Sequence, residues 1–189
     1  MHLDEFLPTY EFYEIHAVTV DASMAKVFTA IKELTVAELS PLIFVMLNLR
    51  SLPAFLMGRE HKMERTPEPF LSKLFKDGFI PLGEVADQEI IFGLIGQFWE
   101  LVPVPGPKIA NPQEFLDYDN PDFAKVAANL AVTLSADGSV RCSTETRIHV
   151  TDPRTRHKFA FYWRIISMGS GWIRVLWLRG IKRKAESTI

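Results

Sequence analysis

The sequence predicts an α+β fold in which antiparallel strands come first and one long helix comes last. Three observations carry that reading. Residues 10–20 (YEFYEIHAVTV) alternate like a strand and run into a helical stripe with only Asp21 and Ala22 between them. Residues 123–150 hold two alternating segments around Ala136-Asp137-Gly138. From Pro153 onward, apolar residues recur at helical spacing.

The first strand places Tyr10, Phe12, Glu14, His16, Val18 and Val20 on one face and Glu11, Tyr13, Ile15, Ala17 and Thr19 on the other. Asp21 or Ser23 then caps a helix, because a short side-chain oxygen accepts an orphan amide proton. Its stripe is Met24, Val27, Phe28, Ile31 and Leu34. The apolar segment 36–57 follows. A membrane span needs ~20 apolar residues. Here Glu38, Asn48 and Arg50 interrupt the run and Pro41 and Pro53 bracket it, so the segment reads as a buried helix, with a membrane-surface or oligomer contact, or a lid over a cavity, as the alternatives. A charged link (REHKMERTPEP) leads to a short helix, FLSKLFK, ended by Gly78.

Two strands, Phe79–Val85 and Glu89–Trp99, turn at Ala86-Asp87-Gln88. The second is apolar on both faces, so both should be covered; Gly93 and Gly96 mark a bulge, a bend or a close approach. Residues 101–112 carry four prolines and read as loop without a ladder. The three-residue turn with Gly138 pairs Ser135 with Ser139. That register groups Val126, Ala128, Leu130, Val132 and Leu134 with Val140, Cys142, Thr144, Thr146 and Ile148. It sends Lys125, Asn129, Thr133, Arg141, Ser143, Glu145, Arg147 and His149 to a charged, solvent-side face. Thr151 or Asp152 caps the last helix, with Pro153 at its first position. Its seam is Phe159, Tyr162/Trp163, Ile166, Ser170, Ile173, Trp177 and Ile181, and Gly169-Ser170-Gly171 should kink or loosen it.

A chain of 189 residues, 48% hydrophobic and 23% charged, suits one domain, 1–189. The lone cysteine, Cys142, excludes an internal disulfide framework. MHLDEFLP places acids where an export signal needs a basic residue and an apolar run, so a cytoplasmic location is expected. The net charge of −2 conceals a basic end: nine Lys/Arg and one acid follow Pro153. Those cations are a solvated helix face docked on an acidic body, or a contact for an anionic surface through Arg174, Arg179, Lys182, Arg183 and Lys184. Nucleic acid is not the expected partner.

The opening VTVDASMAKVFTAIKEL resembles the strand-to-helix start of the START/Bet v 1-like superfamily (SRPBCC), which includes polyketide cyclase/dehydrase-like proteins and lipid-transfer relatives. Val20, Asp21, Ala22, Val27, Phe28 and Ile31 carry the match; Ser23 stands where proline is usual. The likeness extends through ADGSVRCSTETRIHVTD and the last helix, and fails over 36–76, which is longer and more apolar. FGLIGQFW, STETRIHVTDP and FYWRII together look like a bacterial group of no assigned activity. The resemblance implies a helix-grip fold: a curved antiparallel sheet wrapped around the long C-terminal helix, with an extra apolar helical segment after the first helix. It also implies a small, largely apolar ligand, lipid- or polyketide-like, held between sheet and helix.

The residues expected to line that space are Phe92, Trp99, Leu130, Thr144, Thr146, Tyr162, Trp163 and Ile166. The small side chains Ala128, Cys142, Thr144 and Thr146 either let the helix pack close or leave room for the ligand. The histidines show neither metal-ligand spacing nor an acidic partner at useful distance, so no metal and no cofactor are expected. A cyclase/dehydrase-type enzyme in the same cavity, and an interaction module using the basic helix, are the alternatives; no catalytic residue is assigned.

Overall fold

The computed structural model describes residues 2–56 and 64–187. Helix α1 (Leu3–Phe6) precedes strand β1 (Phe12–Val20), helix α2 (Met24–Glu33), a 3-10 turn at Val36–Glu38, and helices α3 (Pro41–Leu56) and α4 (Phe70–Lys76). Strands β2 (Ile80–Val85), β3 (Glu89–Gln97) and β4 (Val104–Pro105) follow, then helix α5 (Pro112–Asp117), strands β5 (Ala124–Leu134) and β6 (Val140–His149), and helix α6 (Pro153–Ser187). Every pairing is antiparallel, in the order β1-β6-β5-β3-β2 with β4 beside β3. With α6 packed along β1 and β6, this is a helix-grip α+β fold.

The abrupt start is built as its sequence dictates. Ser23 is the cap of α2, its hydroxyl accepting the Lys26 amide, while the Asp21 amide donates to Glu186 of α6 (2.8 Å). Val27, Phe28, Ala30 and Ile31 are buried. Val36, Leu39, Ile43 and Phe44 join them in the main core with Trp177, Leu178 and Ile181, so the described part of segment 36–57 includes core residues. Helix α3 begins at Pro41 and continues past Pro53; Met57 and the first part of the charged link lie outside the described residues.

The hairpin register holds from Leu134↔Val140 to Lys125↔His149. Gly138 has φ +82°, the left-handed conformation its turn needs, and the Ser135 amide donates to Ser139 O (2.8 Å). The proline-rich stretch corrects the expectation of loop alone: Gly96 pairs with Pro105 and Gln97 with Val104. Proline's missing amide costs nothing there, because Gly106 supplies the donor to Ile95 O (2.9 Å). The Gly-Ser-Gly stretch does not interrupt α6, which is continuous over 35 residues. A pair of glycines costs ~2 kcal/mol of propensity, which the packing of both helix ends outweighs.

The face expected to be solvent-side is largely buried. Asn129 is 0% exposed, and Glu145 and Arg147 are 6% each, beneath the N-terminal segment. Leu3 and Leu7 pack there with Ile91, Ile95 and Phe115 in a second core. Arg147 donates from Nε to Glu145 (2.6 Å) and from Nη1 to Asp4 (2.6 Å) and Leu7 O (3.2 Å). Tyr10 covers the guanidinium, with its ring centroid 4.7 Å away. Glu89 Oε1 receives Asn129 Nδ2 (2.6 Å), and Asn129 Oδ1 receives the Glu145 amide (2.7 Å). A buried charge persists only when paired and hydrogen-bonded, which is what this chain of contacts provides. Alternation located the face; it could not show that a segment more than a hundred residues away covers it.

Candidate functional site

Helix α6 grips the sheet at two places. Near its start, Phe159 packs against Phe12, Trp99, Tyr162 and Trp163, with ring centroids 5.0–6.0 Å apart. Near its end, Trp177 meets Phe70 and Phe92 at 4.9 and 6.3 Å. Between these apolar contacts, over residues 160–176, only Gly171 is buried. The seam positions Tyr162, Trp163, Ile166, Ser170 and Ile173 remain half-buried, so water reaches the middle of the grip.

That middle is polar. Glu14 and His16 project from β1 opposite Thr146 and Thr144 of β6. Arg174 crosses from α6, donating from Nε to Thr146 Oγ1 (3.1 Å) and from Nη1 to Glu14 Oε2 (2.8 Å) and Ser170 Oγ (2.6 Å). His16 Nε2 is buried without a hydrogen-bond partner and lies 3.9 Å from Glu14 Oε2. A Cβ at Gly171 would come within 3.1 Å of that nitrogen, so glycine is what lets the helix backbone reach the imidazole. The arrangement offers a guanidinium for an anion, a carboxylate and an unsatisfied imidazole nitrogen, in a half-buried setting where each interacts more strongly than in bulk water.

Two expectations are corrected here. The histidines do have acidic neighbours: besides His16, His149 Nδ1 lies 3.3 Å from Glu11 Oε2, and His2 Nδ1 lies 2.7 Å from Glu5 Oε1. Arg174 is no surface cation, because its seam position turns it inward. The others divide: Lys182 donates to Thr19 O, Arg183 to Glu38 O and Lys184 to the Glu38 carboxylate, whereas Arg179 is exposed.

The structure distributes the expected lining residues over the whole grip. Trp99, Tyr162 and Trp163 belong to the contact around Phe159. Phe92 and Leu130 belong to the main core with Trp177. Thr146 holds Arg174 in the polar middle, and Ile166 lies on α6 between the two contacts. Thr144 is buried, with its hydroxyl committed to Asn129 O (2.7 Å). Glu14, His16, Ser170 and Arg174 are not among the expected lining residues, although Ser170 is a seam position and Arg174 an expected surface contact. Their signal was two polar residues on the inward face of the first strand, and a Ser–Arg pair four apart beside the helix seam.

Cys142 is fully buried, and burial pushes its thiol up to about 12, far from a reactive thiolate. Among the described residues no group of three His, Cys, Asp or Glu is placed to hold a metal. No described helix is long and apolar enough to cross a membrane. A separate cleft of about 400 Å³ opens between α2, α4 and the β2–β3 edge, lined by Lys32, Leu71, Phe75, Leu82, Glu84 and Ile90 among others. None of the expected lining residues borders it, and the Lys32–Glu84 ion pair (2.7 Å) is among its walls.

No family model matches the chain, and no curated protein does either. Among solved structures it is similar to the hypothetical protein jhp0584 from Helicobacter pylori, at 11% identity and a TM-score of 0.43, over 96% of this chain and 93% of that one. It is also similar to Ara h 8.0201, a Bet v 1 family allergen, at 12% identity and a TM-score of 0.37, over 94% of this chain and 99% of that one. The helix-grip assignment rests on the chain's own strand order and terminal helix.

Proposed function

We propose that this protein binds a small, largely apolar molecule with an acidic or strongly polar end, lipid- or polyketide-like, between the sheet and α6. The half-open polar middle between two closed aromatic contacts is the observation that carries this reading. Arg174 receives the polar end, exchanging one of its bonds to Glu14 or Ser170 for one to the ligand. Trp99, Tyr162, Trp163 and Ile166 offer apolar surface on one side, with Phe92 and Leu130 in the packing beyond Trp177. The START/Bet v 1-like start of the chain is in keeping with this use of the fold, and membership of that superfamily is part of the proposal.

His16 favours a second reading, an enzyme of the cyclase/dehydrase type. An imidazole beside a carboxylate is a ready acid–base group, and its buried Nε2 has no hydrogen-bond partner among the described residues.

Anilinonaphthalene sulfonate, an apolar aromatic with one anionic group, tests the binding reading. Its fluorescence should rise on the native protein, weaken severalfold with Arg174→Met, and disappear with Ile166→Trp, which fills the middle of the grip. Native mass spectrometry of protein from its own cells should show a co-purifying apolar molecule, released by the same two variants. Equal dye binding by all three proteins would refute the site. Conversion of that molecule by the wild type, lost in His16→Gln while binding persists, would establish the enzyme instead.

A further inference from the structure

Helix α6 has a second apolar face, directed away from the core. Phe161, Ile165, Met168 and Trp172 follow one another at spacings of four, three and four residues, so they form a single stripe. They are 70, 60, 74 and 60% exposed. At 100° per residue this stripe lies opposite Phe159, Trp177 and Ile181, the side chains that hold the helix to the sheet. Surface helices ordinarily carry polar residues there.

The charges around the stripe have one sign. Arg154 and Lys158 precede it, Arg164 flanks it and Arg179 follows it; all four are exposed. Lys158, Arg164 and Arg179 have no hydrogen bond or ion pair among the described residues. The helix holds no acid before Glu186. The other cations of the helix are tied to the body or, for Arg154, lie beside the Asp152 carboxylate, whereas Lys158, Arg164 and Arg179 are not.

We propose that this face of α6 docks on an anionic lipid bilayer, lying in the plane of the membrane surface. A row of Phe, Ile, Met and Trp enters the boundary between headgroups and acyl chains, and cations on both sides meet anionic headgroups. Arginine and lysine stems let the apolar row descend while their charges stay at headgroup level. The charge pattern selects this occupant. A second copy docked through the same face would oppose cation to cation, and a nucleic acid would give Phe161, Ile165 and Met168 nothing to bury against. Across the helix from the polar middle, the face operates whether or not that middle holds a ligand.

The test is co-sedimentation of the full chain with vesicles of phosphatidylcholine mixed with phosphatidylglycerol, against phosphatidylcholine alone. Binding to the anionic vesicles should exceed binding to the neutral ones and weaken as salt rises. Arg164→Glu with Arg179→Glu should lower it by about tenfold or more, and Met168→Glu should abolish it. These positions are exposed, so unchanged circular dichroism and melting temperature will show that the variants fold. Trp172 emission should shift to the blue on binding, and Trp172→Phe should remove most of that shift while binding remains. Absence of sedimentation, or binding indifferent to these substitutions, would overturn the proposal. So would a concentration-dependent dimer that Met168→Glu dissociates, since it would make the face a contact between copies.

Discussion

Gly93 shows how one absent side chain fixes its surroundings. A Cβ there would lie 2.7 Å from the ring of Phe115 and 3.0 Å from Leu82, so the fully buried aromatic of α5 occupies the space a side chain would need. Gly93→Ala should therefore destabilise the protein by about 1–3 kcal/mol, the usual cost of overpacking, read from the midpoint of urea unfolding. Phe115→Leu in the same chain should recover part of the loss; no recovery would mean that the backbone at Gly93, and not the ring, sets the cost. The sequence could mark Gly93 as a place of close approach because it interrupts an apolar strand. It could not name the visitor, since α5 lies in a stretch whose prolines hide a short helix capped by Asn111. Cys142 was the easier case: its place in an alternating strand implied a buried thiol, and burial alone raises its pKa.

Among the elements, the β5–β6 hairpin was the most legible, because a turn of known geometry and two independent alternations had to agree on one register. What lay above it was invisible for the opposite reason. The cover is α1 with the residues after it, and four helical residues carry no periodic signal. The hairpin itself shows what the cover requires. The β5–β6 pairing is continuous on both sides of Asn129, but at its centre the Asn129 side chain receives the Glu145 amide, and Thr144 Oγ1 donates to Asn129 O. Asn129 also holds Glu89, whose other oxygen accepts the His2 amide (3.0 Å). One amide side chain thus joins three strands to the N-terminal segment. Asn129→Leu keeps the volume and deletes both bonds, leaving one buried carboxylate oxygen of Glu89 and the buried Glu145 amide without a partner. At ~1–3 kcal/mol for each unsatisfied group, the loss should be about 2–6 kcal/mol in chemical denaturation. Adding Glu89→Gln should lessen it, because a neutral amide is cheaper to leave unpaired than a carboxylate. A loss no larger than that of an exposed substitution would show that the network contributes nothing.

At the scale of the molecule, the sheet is closed from two sides by opposite ends of the chain. Helix α6 closes one face, and its polar middle was only half legible: alternation put Glu14 and His16 on one face with Phe12, Val18 and Val20, but which helix residue meets them depends on the pitch and seating of a 35-residue helix. The N-terminal segment closes the other face, where the exposed end of its tie is an acid, Asp4. Hydrogen bonding and charge attraction from Arg147 hold the Asp4 carboxyl below its ordinary value of 3.8. A carboxyl depressed in the native state stabilises the fold fully above its unfolded pKa, and that contribution fades as pH falls through the native one. Wild type and Asp4→Asn should therefore differ in unfolding midpoint at neutral pH, and the difference should shrink once pH drops below the ordinary carboxylate value. Before global unfolding, acid should loosen this side first: amides of residues 3–7 should gain hydrogen exchange while those around Trp177, whose ring contacts with Phe70 and Phe92 carry no charge, keep their protection. A constant difference across that pH range would mean that Asp4 acts through shape rather than charge. Simultaneous loss of protection at both faces would mean that the sheet and its two covers open as one cooperative unit.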